Sequence, residues 1–158
     1  NCTNKFNFYS VAAFLLLIFT QIIIGAFVSG MDAGQIYNSW PLMGSSFFPD
    51  DSKIINIFKF SAFSDPSLVQ FMHRNLAYVI LLFYLIILFK IYKKKLIKLY
   101  IAINLVGLLL FIQIILGIFT LLYGAQIYIA SMHQISSIFL VSSSVYLLYL
   151  NTSQQPSS

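Results

Sequence analysis

Leu68-Val-Gln-Phe-Met-His73-Arg74-Asn-Leu-Ala-Tyr-Val-Ile-Leu-Leu-Phe-Tyr-Leu-Ile-Ile-Leu-Phe89 carries one charged side chain, Arg74, and leads straight into Lys90, Lys93, Lys94, Lys95 and Lys98. A helix needs about 20 mostly apolar residues to cross a bilayer. A lysine cluster beside such a run marks the cytoplasmic or matrix side. Three more runs have the same character: residues 8–29, 99–123 and 127–150. The chain is 59% hydrophobic and 8% charged, far below the roughly 25% charge of a soluble domain. In lipid the backbone must satisfy its own hydrogen bonds, which leaves helices or closed barrels. Strand-like alternation is absent. The fold class is therefore all-α, a polytopic membrane protein with four transmembrane helices.

Charge distribution gives the expected topology. All four acids, Asp32, Asp50, Asp51 and Asp65, lie between the first and second runs, on the side opposite the lysines. Lys5 precedes the first run and agrees with the lysine side. Both ends of the chain are thus expected on the cytoplasmic or matrix side of an inner membrane, with membrane lipid as the surroundings. The net charge of +5 does not point to nucleic acid, because five of the nine basic residues sit in that one short loop. Cys2 is the only cysteine, so an intrachain disulfide and a cysteine metal site are excluded. The first run is too long for a signal-peptide core and ends without a small-residue cleavage site. The chain begins with Asn and is read as a piece of a longer protein. Residues 1–150 form the expected membrane domain, 30–67 its outer loop, and 151–158 a polar, disordered tail.

Gln21-Ile-Ile-Ile-Gly25-Ala-Phe27 recurs as Gln113-Ile-Ile-Leu-Gly117-Ile-Phe119, 92 residues later. Each copy precedes an outer loop, and each loop leads to a helix that opens with a histidine. The chain reads as two helical hairpins, parallel repeats that form a four-helix bundle. Sites in repeat-built membrane proteins often lie at the repeat interface.

His73 and His133 are the only histidines. One follows Leu68 by five residues and the other follows Ile127 by six. At about 1.5 Å per residue their depths agree within a few ångströms, near the outer face. Buried ionisable residues in membrane helices are costly and lean towards function. Two imidazoles make a poor zinc site, which wants four ligands. A porphyrin brings four nitrogens and needs two axial ligands, commonly histidine. Bis-histidine haem iron fits this inventory better than a bare metal.

Other residues leave alternatives open. Arg74 is suited to a haem propionate through its planar fork, or to snorkelling, or to a pair with Asp32 or Asp65. Gln134 is suited to a propionate or to a neighbouring helix. Gly25, Gly30 and Gly117 permit close approach, of a porphyrin or of a helix. Residues 53–63 read as a short surface helix, either a lid or an inert interfacial element. Trp40 is an interface anchor.

Several ordered stretches resemble haem A synthase, specifically its C-terminal four-helix half. Gly25-Ala-Phe-Val-Ser-Gly30-Met-Asp32-Ala-Gly34-Gln-Ile-Tyr37-Asn38-Ser-Trp-Pro41-Leu-Met43-Gly44 is similar to the signature that follows the first helix of that half. Val69-Gln70-Phe71-Met-His73-Arg74 resembles its histidine-bearing entry to the next helix. Leu116-Gly117-Ile-Phe-Thr120-Leu-Leu122 and Ala130-Ser-Met-His133-Gln134 resemble the closing pair. The Asp-Ala-Gly and Tyr-Asn pattern is similar to the alphaproteobacterial and mitochondrial branch.

The resemblance implies an eight-helix enzyme of two similar halves. That enzyme oxidises a methyl group of haem O to a formyl, giving haem A for cytochrome oxidase. Its N-terminal half holds the substrate through a Glu-x-x-His-Arg pattern. Its C-terminal half holds haem b by two axial histidines, here His73 and His133. Implied partners are the substrate half, haem O, haem O synthase, an electron donor and other copies of the enzyme. Gln70 stands where the substrate half has its glutamate, and this chain contains no Glu, so it does not match the substrate half. The last loop, Gly124 to Tyr128, lacks the family's proline, and the first half is missing. As it stands the chain is expected to bind haem without hydroxylating haem O. Two other classes are a free-standing b-type electron carrier and a transporter with a histidine proton relay. Carriers commonly stack haems on both sides of the membrane, whereas both histidines here share one side. A relay wants acids within the helices, and none is present.

Overall fold

Helix starts and stops in this chain are set by short polar and lysine segments at the ends of the apolar runs. The structure, a computed structural model, describes residues 6–153. Helix α1 spans Phe8–Gly30 and opens on Asn7, whose side-chain oxygen accepts from the Tyr9 N–H at 2.9 Å. Helix α2 spans Pro66–Lys93. Asp65 caps it, accepting from the N–H groups of Ser67 and Leu68 at 3.0 and 3.2 Å. Pro66 occupies the first turn, where a missing N–H costs nothing.

The expected end of α2 at Phe89 moves out to Lys93. Lysine is a good helix former and is favourable near a helix C-terminus. A Schellman motif then closes the helix: Leu96 N–H bonds to the Ile91 carbonyl at 3.1 Å and Lys95 N–H to that of Tyr92 at 3.0 Å. A short 3-10 turn, Ile97–Leu99, leads into α3, Tyr100–Leu122. Helix α3 ends the same way. Ala125 N–H reaches the Thr120 carbonyl at 2.7 Å and Gly124 N–H that of Leu121 at 3.1 Å. Gly124 (φ 64°) and Ala125 (φ 55°) are both left-handed. The turn expected to need a proline is thus made by a glycine-centred cap.

Helix α4 spans Ile127–Thr152. It takes in Asn151, which is buried, and Thr152, two residues of the expected tail. The rest of that tail, from Gln154 on, lies outside the described residues, as do Cys2 and Lys5. All four helices are long and apolar enough to cross a membrane, so the chain is a multi-pass membrane protein.

The closest packing is within the pairs α1–α2 and α3–α4. Helix α1 also packs on α4, and α2 more lightly on α3. The ring of neighbours puts α2 and α4 on one diagonal. One hydrophobic cluster draws on all four helices, including Phe14, Ile18, Ile80, Ile87, Ile103, Val106, Leu140 and Leu147. Most of its buried members lie nearer the lysine loop, and the partly buried Leu76 and Ile114 extend it towards the long loop. At that end residues 67–70 are buried, while residues 19–30, 71–79, 114–122 and 127–139 are partly buried or exposed.

The long loop closes that second end. It holds the 3-10 turn Ala33–Gln35 and two more where one surface helix was expected, Ile54–Phe58 and Phe60–Ser64. Lys59 separates them in extended conformation (φ −97°, ψ 145°). Isolated helices this short are marginal, and the Lys59 ammonium instead donates to the Asn56 side chain at 3.0 Å.

Candidate functional site

The two histidines stand at matching levels. His73 lies seven residues into α2 from Pro66, and His133 six into α4 from Ile127. Their separation in depth is about 1.5 Å if both helices rise equally. Both lie in the half of the bundle nearer the long loop, on the diagonal helices.

The repeat seen in the sequence becomes a repeated contact. Gln21 donates from Nε2 to the backbone carbonyl of His73 at 3.0 Å. Gln113 donates from Nε2 to the backbone carbonyl of His133 at 2.9 Å. One helical turn further on, each glycine of the repeat faces the ring of the same histidine. A β-carbon at Gly25 would stand 3.1 Å from His73 Cε1, and one at Gly117 the same 3.1 Å from His133 Cε1. In each hairpin, therefore, the first helix supplies an amide that grips the second helix and a gap that admits its imidazole.

Nδ1 of both rings is buried without a hydrogen-bond partner. Two imidazoles at one level on diagonal helices, each facing a glycine that clears its ring, suit a large flat group with a metal at its centre. A bare metal does not suit the site: no group of three or more His, Cys, Asp or Glu side chains occurs among the described residues.

Arg74 is held by the loop. Its Nη1 donates to the carbonyls of Ser39 (2.9 Å) and Leu42 (3.3 Å), and its Nη2 to that of Tyr37 (2.8 Å). Neither Asp32 nor Asp65 is its partner. Asp65 is occupied instead by the start of α2 and by Ser52, whose hydroxyl donates at 3.0 Å. The Arg74 Nε–H is buried and unpaired. Gln134 is exposed on α4 beside His133. Gln70 is buried and donates to the Tyr37 carbonyl at 3.2 Å, which makes it a loop anchor.

The loop over this end is tightly bonded. Asn38 donates to the carbonyls of Gly34 (2.9 Å) and of Leu121 at the end of α3 (2.8 Å). Trp40 donates from its indole to the Tyr78 hydroxyl at 3.1 Å, which ties the expected interface anchor to α2. Asp50 accepts from the Ser45 N–H (3.1 Å) and from the hydroxyls of Ser45 and Ser46 (both 3.0 Å). These bonds hold its carboxyl below the usual range. Partial burial, then the neighbouring Asp51 carboxylate, push the Tyr37 phenol up.

The sequence of the chain also matches known proteins. The profile of the cytochrome oxidase assembly proteins matches residues 3–145. The chain belongs to that family. Among its relatives, the protein named Heme A synthase in Pelagibacter ubique is 45% identical over 87% of this chain. That of Rickettsia bellii is 43% identical over 85%, and that of Roseobacter denitrificans 40% identical over 73%. The matches cover 40%, 39% and 30% of those relatives, so the chain spans about two fifths of the length of the first two. No solved structure matches.

The sequence marks Gln21 and Gln113 only as letters of a repeat. The signal for their bonds to the two histidine carbonyls is the constant four-residue step from glutamine to glycine, Gln21 to Gly25 and Gln113 to Gly117. The loop carbonyls that hold Arg74 had no signal, since backbone acceptors carry no residue type.

Proposed function

We propose that this chain is the cofactor half of a haem A synthase, with haem b held between the diagonal helices by His73 and His133 as axial ligands. The observation that carries the reading is the doubled contact set. Each hairpin brings one glutamine to its histidine's carbonyl and one glycine to its ring, at the end of the bundle nearer the long loop. The family and the relatives' name support it.

Each residue has a task in this reading. Gly25 and Gly117 admit the imidazoles, and Gln21 and Gln113 fix the helix pairs at that level. Arg74, already anchored to the loop, keeps its Nε–H for a propionate oxygen; Gln134 is the further polar side chain beside His133. Phe and Ile side chains of the loop-end halves keep water from the site. Haem b, when bound, supplies one-electron chemistry. In the whole enzyme a preceding half with Glu-x-x-His-Arg would take haem O and oxidise its methyl to a formyl. An electron donor and haem O synthase are its expected partners in the inner membrane. Gln70 in place of the glutamate keeps the present half out of the substrate role.

Purified with haem, the chain is expected to give a low-spin b-type spectrum at one haem per chain. His73→Ala and His133→Ala should each leave a high-spin or empty site. A well-folded, haem-supplied chain without pigment would refute the ligand assignment, as would low-spin spectra unchanged in both variants.

A further inference from the structure

The two hairpins differ at one point. Gln113 Nε2, besides reaching the His133 carbonyl, lies 2.7 Å from the Ser136 hydroxyl, which itself donates to the same carbonyl at 3.1 Å. Gln113 Nε2 is thereby engaged by the carbonyl and the hydroxyl, and no side-chain amide is placed against the His133 ring as Gln21 is against His73. On α2 the residue three positions past the histidine is Leu76, which offers no such group. The Gln21 amide there lies 3.3 Å from His73 Nε2 as well as 3.0 Å from the His73 carbonyl. With His73 Nδ1 unpaired and buried, the amide N–H donates to the Nε2 lone pair, the same pair an axial ligand gives to iron.

We propose that Gln21 is a positioning residue that makes His73 the exchangeable ligand and leaves His133 the permanent one. This rests on the haem reading above. His73 Nε2 has two competing acceptor roles, one towards iron and one towards the Gln21 N–H. If an external ligand took that position, His73 Nε2 would accept from the Gln21 N–H instead. No proton or electron moves in the exchange. His133 has no substitute donor for its ring, so its release leaves the lone pair unpaired in an apolar bundle. The pocket would then open a coordination position on the α2 side only.

Carbon monoxide binding to the reduced, haem-loaded chain tests this. The wild-type chain is expected to bind CO with loss of one histidine. Gln21→Leu should weaken CO binding about two- to tenfold, the worth of one net hydrogen bond. Leu76→Ser keeps Gln21 but gives its amide the hydroxyl that Gln113 has, and should weaken binding in the same direction. Asn104→Leu, at the lysine-loop end of α3 where Asn104 bonds Tyr92, should leave CO affinity unchanged. The proposal is overturned if the loaded wild-type chain takes no CO. It is equally overturned if Gln21→Leu and Leu76→Ser match the wild type, or if Asn104→Leu weakens binding as Gln21→Leu does. Failure of the wild-type chain to hold any haem would instead sink the cofactor reading itself.

Discussion

A β-carbon at Gly25 or Gly117 would meet an imidazole at 3.1 Å, closer than ordinary van der Waals contact, whereas one at Gly30 would meet nothing within 4 Å. Three alanine substitutions therefore separate helix propensity from ring clearance. Each Gly→Ala change favours the helix by up to about 1 kcal/mol. Overpacking typically costs about 1–3 kcal/mol, and at Gly25 and Gly117 that cost falls on the rings. Gly25→Ala and Gly117→Ala should keep the fold but lower haem affinity by that difference, measured by haem titration. Gly30→Ala should titrate like the wild type. The glycines were visible in the sequence as a repeat. Which ring each one clears was not, because the partners are 48 and 16 residues away and nothing local encodes the pairing.

The elements that shape the site are the long loop and the start of α2, and their acids serve as internal acceptors. Asp50 is stabilised in its charged form by Ser45 and Ser46, so its folded value lies below the ordinary 3.8. A lowered carboxyl contributes stability that is full above its ordinary value and is lost as pH falls through the folded one. Amide exchange in residues 44–50 should therefore accelerate below about pH 4, and Asp50→Asn should be loosened already at neutral pH. Tyr37 has the opposite sign. Its raised value means that its contribution is complete below about pH 10 and fades as pH rises past that. Asp65→Ala should fray the first turn of α2 by about 1 kcal/mol, the usual worth of a cap, read as faster exchange at Ser67 and Leu68. The local signal for this cap is Asp65-Pro66 ahead of an apolar run. The expected surface helix of residues 53–63 was less so, since five-residue segments are decided by tertiary contacts rather than periodicity.

Across the whole molecule, the buried aliphatic cluster is centred nearer the lysine loop, and the two histidines stand nearer the hydrogen-bonded long loop. A ligand that binds only the native state stabilises it. Haem loading should raise the chain's thermal midpoint in detergent, with the gain lost in His73→Ala and His133→Ala. A second whole-molecule outcome concerns activity. Joined to a half that carries Glu-x-x-His-Arg, the chain should support haem A formation in membranes supplied with haem O. Alone it should not. Haem A formation by this chain alone would overturn the division of labour between halves.

Hydropathy, lysine placement and the 92-residue repeat sufficed for four spanning helices, two hairpins and two histidines at matching depth. Those are local properties, readable because a bilayer imposes one length and one polarity on every crossing segment. Only the folded chain decided where the glutamine amides go, which glycine clears which ring, and that Arg74 is gripped by the Ser39, Leu42 and Tyr37 carbonyls. Each depends on atoms distant in sequence meeting within a few ångströms, and a single residue difference, Leu76 against Ser136, was enough to break the symmetry between hairpins.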